Sequence, residues 1–293
     1  MKNFNFTFLI ILGLLFTGCS LEEEQPFLPN ENVYGSASNA TSALLGIYQA
    51  MVQYEYYGNE FLFLTNVNSG LMVTRRTGNQ NDNSYNSTLS SLNPTSGLVA
   101  IENSWLGIYQ TIGRANDAIN SLAVFDNPST SDELVINDVI GQAYFVRAFN
   151  YFNLVRLWGE VPLRITPTTS ETLHLAKSPI KDVYAQIIVD VKLAQQLMNG
   201  AVASGTPKPQ AADMLLSKVY MALATASSDV QDPSLNYWQL AYDEAFKAYG
   251  AYSLLPSYDN LFLGTNGNNT AESIFELQSV VGASLDHTRA FTP

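Results

Sequence analysis

The sequence predicts a mainly all-α protein: a scaffold of paired helices carrying long polar loops and a few short strands. Three observations predict it. Six stretches repeat apolar residues three and four positions apart, the spacing that lines one face of an α-helix. Extended segments are short and confined to residues 253–254 and 273–278, beside an Asn/Gly turn at 265–269. Small residues recur on the second helix of successive pairs, where they let two helices approach closely.

The chain opens with Met1-Lys2-Asn3, an apolar run over residues 4–16, and Thr17-Gly18-Cys19. A basic start, a short apolar stretch and a small-residue junction describe a secretory signal over residues 1–18. The run is shorter than the roughly 20 residues that a spanning helix needs. Cys19 is the only cysteine, and its place after a small residue is that of a bacterial lipobox, so it is expected to carry lipid. The alternative is a free cysteine beside an ordinary signal peptide. Residues 19–38 form an acidic tether containing Glu22-Glu23-Glu24, and residues 39–293 form the folded domain.

The first helix spans 39–53, with Ala40, Ala43, Leu44, Ile47, Tyr48 and Met51 on one stripe. Residues 65–97 are rich in Asn, Ser, Thr and Gly, follow neither helical nor strand period, and are expected to form a long loop of functional kind. The second helix, 101–122, turns Trp105, Ile108, Ile112, Ala115, Ile119 and Leu122 inward. The third and longest begins near Asp132 and ends at Trp158, where Gly159 caps it and Pro162 prevents its return. The fourth covers 180–198, with Pro179 expected at its first helical position. A Gly/Ser/Pro linker at 200–209 leads to a fifth helix at 210–226 and a sixth at 237–249, stopped by Gly250. Leu216-Ser217 with Tyr220, then Ala241, Ala245 and Ala248, fit the two helices of a tetratricopeptide repeat with a lengthened loop.

Composition narrows the function. The formal charge is −12, and −13 once Lys2 leaves with the leader, which repels nucleic acid and anionic lipid. His174 and His287 stand far apart without a ligand pattern, so no His/Cys metal site is expected. No phosphate-binding glycine loop, dinucleotide fingerprint or nucleophile elbow is present. A pair of carboxylates for glycoside hydrolysis stays open, although Asp126, Asp132, Glu133, Asp229 and Asp232 fall at loops and helix starts, where they suit solvent and the helix dipole.

Aromatic residues are abundant, with 16 Tyr, 15 Phe and 3 Trp. Flat rings stack on the C–H faces of sugars, while Asn, Asp and Arg bond their hydroxyls. Most rings lie on helical stripes and belong to the core. Tyr85, beside Asn81 and Asp82 and downstream of Arg75 and Arg76, lies in the long loop and is the better ligand candidate. Tyr54, Tyr56 and Tyr57 form a weaker second group. Arg147 on a buried stripe needs a partner and reads as structural.

The segment from Gly141 through Arg147-Ala148-Phe149, Tyr151, Leu154-Val155-Arg156 and Gly159-Glu160-Val161-Pro162-Leu163 resembles the signature of the SusD/RagB family. Ala43 to Tyr48, Trp105 with Tyr109 and Asn116, and the residues around Tyr252, Leu261-Phe262 and Glu272 to Glu276 agree with it in order. The resemblance implies a tetratricopeptide-like scaffold of four helix pairs, with Arg147, Tyr151, Arg156, Gly159 and Pro162 as structural signature residues. It implies a surface lipoprotein of the outer membrane, anchored through Cys19 and facing outward, that captures oligosaccharide or peptide. Its implied partner is a SusC-type TonB-dependent transporter, and no cofactor, metal or catalytic step is implied. Family members continue past the point where this chain stops, so the domain is expected to be incomplete at its C-terminus. The alternatives are an envelope scaffold without its own ligand and, third, a surface glycoside hydrolase.

Overall fold

A computed structural model describes residues 33–69, 93, 97–126, 128–202, 206–262 and 269–277. Seven α-helices appear among them: α1 Ala37–Met51, α2 Glu60–Asn68, α3 Val99–Leu122, α4 Thr130–Trp158, α5 Ile180–Leu197, α6 Pro209–Ala224 and α7 Tyr237–Ala248. A π-helical turn, Tyr54–Gly58, joins α1 to α2, and a 3-10 turn, Tyr258–Phe262, follows α7. Local chemistry sets several boundaries. Ser36, Ser129 and Asn236 cap α1, α4 and α7 by accepting the N–H of Asn39, Asp132 and Gln239. Gly159 leaves α4 at φ +73°, a conformation that side chains strain to adopt.

Successive helices pack on one another: α1 on α3, α3 on α4, α4 on α5, α5 on α6 and α6 on α7. The centre is α4, which touches α1, α3, α5 and α6 and is apolar around much of its circumference, as an enclosed helix must be. Close approach is built in where it is needed. A Cβ at Gly141 would lie 2.7 Å from the Met198 backbone nitrogen, so only glycine lets α4 meet the end of α5. In the last pair, the Ser217 hydroxyl donates to the Ala241 carbonyl at 2.8 Å, across a seam of small residues. The tetratricopeptide-like pattern of Leu216, Ser217, Tyr220, Ala241 and Ala248 is thus a buried helix–helix contact.

Three expectations are corrected. The loop expected over 65–97 begins later, because α2 runs to Asn68; its Leu64 and Val67 pack with Leu98 and Ala100 in a satellite core. That run of adjacent apolar residues has no clean period, which hid the helix. Residues 70–92 lie outside the described set. Pro179 occupies the N-cap, one position earlier than expected. The strands also fall elsewhere. Residues 253–254 and 273–277 form no ladder; their neighbourhoods are joined by a bond from Ser253 N–H to the Ala271 carbonyl and by Glu272 accepting from Leu255 N–H. Ile274, Phe275 and Leu277 instead pack as a strap onto the helical core. The strand pair found among the described residues is β1 Val161–Pro162 against β2 Lys177–Ser178, antiparallel.

Candidate functional site

Arg147 organises the exit of α4. Its Nε and Nη2 donate to the two carboxylate oxygens of Asp190 on α5, at 2.8 and 2.7 Å. Its Nη1 donates to Asn116 Oδ1 on α3 at 2.8 Å and to the Ile165 carbonyl at 2.9 Å. Asp190 accepts a further bond from Gln186, so hydrogen bonds support this buried charge pair on both sides. Asn116 passes its amide protons to the carbonyls of Arg164 and Thr166. The Tyr151 hydroxyl accepts from Arg164 N–H at 2.6 Å and donates to the Arg164 carbonyl at 2.9 Å. Tyr109 donates to the Pro162 carbonyl at 2.7 Å. Burial pushes the phenols of Tyr109 and Tyr151 up, so both remain neutral donors. Two helices, α3 and α4, thereby grip the segment after Gly159, while α5 holds Arg147 in place through Asp190.

A cleft of about 290 Å³ opens between α3 and this segment, lined by Trp105, Tyr109, Gly113, Asn116, Arg164 and Thr168. Two aromatic rings form its wall, Trp105 and Tyr109, 4.9 Å between centroids. Its polar groups are engaged by the chain itself: Arg164 donates to the carbonyls of Thr172 and Leu173, and Asn116 is used as above. The cleft therefore offers ring faces more than free hydrogen bonds. Trp158 meets Trp105 edge-on at 5.4 Å and also packs on the satellite core that holds Leu64, Val67 and Leu98. Because that core brings together the ends of the segment between α2 and α3, the cleft adjoins the base of the long polar stretch. No group of three or more metal-ligating side chains occurs among the described residues.

The residues expected to touch ligand (Arg75, Arg76, Asn81, Asp82 and Tyr85) and the lipid-bearing Cys19 lie outside the described residues. The weaker group divides. Tyr56 is buried, its phenol pushed well up by that burial, and accepts from Asn153 at 2.8 Å. Tyr57 accepts from the same amide, whereas Tyr54 is exposed. Arg156 lies 4.2 Å over the Phe152 ring and donates to Asn153, so it supports this cluster. Sequence reasoning missed one feature, an exposed aromatic face on α7. Its signal is the spacing of Trp238, Tyr242 and Phe246 at four-residue intervals, continued by Tyr249 just past the helix end.

A family model, SusD-like_3, described as starch-binding associating with outer membrane, matches residues 30–221. SusD-like protein P2 of Formosa agariphila is 30% identical over 226 residues, which are 75% of this chain and 43% of that protein. Among solved structures, a laminarin-binding SusD-like protein is similar with a TM-score of 0.67 at 24% identity, covering 81% of this chain and 50% of the other. A protein solved with xylogluco-oligosaccharide has a TM-score of 0.64 at 21% identity, over 81% of this chain and 46% of its own. The chain spans about half the length of these proteins or less.

Proposed function

Because the chain belongs to the SusD-like family, we propose that it is a glycan-binding lipoprotein of the outer membrane that captures its ligand and delivers it to a SusC-type TonB-dependent transporter. The observation that carries this reading is the family match, which runs from residue 30 into α6 and contains the whole Arg147 node. The association with laminarin and with xylogluco-oligosaccharide in structural neighbours supports a glycan as ligand. Lipid on Cys19 would hold the protein at the outward face of the membrane, with burial of about 0.8 kcal/mol per acyl carbon. The scaffold would dock the transporter while the polar stretch between α2 and α3 receives the sugar. In that stretch Tyr85 supplies a stacking ring, Asn81 accepts from and donates to hydroxyls, Asp82 accepts from them, and Arg75 and Arg76 add charged donors. Capture and release need no bond cleavage.

Titration of the lipid-free chain with laminarin, xyloglucan oligosaccharides or soluble starch, followed by tryptophan fluorescence, tests this. A saturable change is expected, and Tyr85→Ala should weaken it about tenfold, the loss of roughly 1.4 kcal/mol. No saturable response, together with tight binding to the transporter, would replace the reading with that of a scaffold lacking its own ligand. Reducing-sugar release abolished by one carboxylate substitution would replace it with a hydrolase. Survival of the protein when intact cells are treated with protease would contradict the outward orientation.

A further inference from the structure

We infer that the cleft between α3 and the segment after Gly159 is a subsite for an acidic sugar, a uronosyl unit whose carboxylate meets Arg164. This rests on the glycan-binding reading above and adds a substrate class to it. Arg164 lines the cleft with Trp105, Tyr109, Gly113 and Thr168. Its Nη1 donates to the Thr172 carbonyl and approaches Thr168 Oγ1 at 3.5 Å, while its Nη2 donates to the Leu173 carbonyl. Nε–H has no partner among the described residues, and Nη2 uses one of its two hydrogens. Nε and Nη2 form one edge of the guanidinium plane. Arg147 shows what that edge does in this protein: its Nε and Nη2 hold the two oxygens of Asp190 at 2.8 and 2.7 Å.

Charge and shape decide what the edge receives. Among the described residues no carboxylate pairs with Arg164; the ion pairs there are Arg147–Asp190, Lys177–Glu160 and Lys247–Glu244. Its charge is felt in the cleft: burial raises the Tyr109 and Tyr151 phenols, and Arg164 pulls both back. A half-buried cation without a counter-ion favours an anion at this point. Trp105 and Tyr109, 4.9 Å between centroids, give the cleft a flat aromatic wall. A uronosyl unit carries its carboxylate on the sugar ring itself, so stacking and the guanidinium edge act on one rigid group. A glutamate side chain would reach the edge but offer no flat face to the rings. The volume, about 290 Å³, lies at the lower end of the roughly 300–1,000 Å³ of small-ligand pockets, which suits one sugar unit. The net charge of −12 repels polyanions at long range, so the ligand is a largely neutral glycan with isolated uronosyl units.

Calorimetric titration of the full chain tests the subsite with two probes: a xylo-oligosaccharide bearing one glucuronosyl branch, and the same sugar with that carboxyl reduced to an alcohol. Wild type should bind the acidic form at least about tenfold more tightly. Two variants attack the site differently. Gly113→Leu sends a side chain into the cleft from α3, where a Cβ has no atom within 4 Å, so the fold has room for it. It should abolish the preference while thermal melts stay at or above wild type. Arg164→Lys keeps the charge but loses the planar edge, and should cut the preference to about threefold or less. Tyr85→Ala should weaken both forms and leave their ratio unchanged. Equal wild-type affinity for the two forms, or a preference that survives in Gly113→Leu, would overturn the acidic subsite and leave the glycan reading standing. Binding of neither form by a chain that binds laminarin or soluble starch would do the same. Competition by a peptide carrying one glutamate, as strong as that of the acidic sugar, would overturn the subsite in favour of a peptide site. No saturable response to any of these sugars would overturn both readings.

Discussion

Arg147 and Asp190 exchange two charge-assisted hydrogen bonds with almost no access to water. Such a pair contributes little compared with a well-packed apolar substitute, yet removing one partner leaves a buried charge. Arg147→Ala should therefore destabilise by about 3–5 kcal/mol in urea unfolding, and Arg147→Met with Asp190→Leu should recover most of that loss. If the double variant is no better than Arg147→Ala, the cause lies in the bonds to Asn116 and Ile165 instead. A second node joins the last helices: Gln195 donates to Asp213 at 2.7 Å and to Glu244 at 2.6 Å. Burial pushes the Asp213 carboxyl up, opposed by the Gln195 bond and Lys247. The folded pKa then exceeds the unfolded one, so stability falls as pH rises from the usual carboxylate value through the raised one. Asp213→Asn should flatten that segment of the pH profile and raise the melting temperature at pH 7 by about 1–2 °C, small because solvent screens the half-exposed site.

At the scale of elements, glycines discriminate between helix propensity and helix contact. Gly46 lies in α1 with no neighbouring atom near its missing Cβ, so Gly46→Ala should stabilise by about 1 kcal/mol. Gly141→Ala improves propensity equally, but its methyl would meet the Met198 backbone, and overpacking should make it destabilising by about 1–3 kcal/mol. Opposite shifts in denaturation midpoint check the pair; two stabilising results would mean that α4 and α5 can separate freely. The end of α4 was readable because Gly159 acts through chemistry local to that end; Ser129 and Asn236 cap the starts of α4 and α7 in the same local way. The short α2 was not readable, since its burial depends on Leu98 and Ala100, some thirty residues away in sequence. The strand pair was equally hidden: two residues per strand carry no period, and their register follows from where the Arg147 node pins the segment between them.

Across the whole molecule, the strap at 269–277 ties the last described residues back to the centre. Phe275 meets Phe145 edge-on at 5.3 Å and Phe149 at 6.2 Å, both on α4. Phe275→Ala should destabilise by about 1–3 kcal/mol, less than a fully buried phenylalanine because the site is partly open, and should speed proteolysis near the strap before the helices are cut. Simultaneous cleavage throughout would show the strap and scaffold to be one cooperative unit.

The sequence by itself determined six of the seven helices among the described residues, since a 3.6-residue period acts within a few positions, and it left α2 hidden. It also carried the family signature around Arg147 and the expectation of a lipid on Cys19. Only the tertiary structure decided that Asp190 neutralises Arg147, that Asn116 and Tyr151 hold the segment after Gly159, and that Trp158 links the cleft to the base of the polar stretch. It alone decided which side of α7 faces water. Tyr237 and Trp238 are adjacent aromatics of similar propensity, and one is buried while the other is exposed because α6 packs against the alanine seam. Contacts between distant residues depend on how helices stack, and a period along the chain does not contain that information.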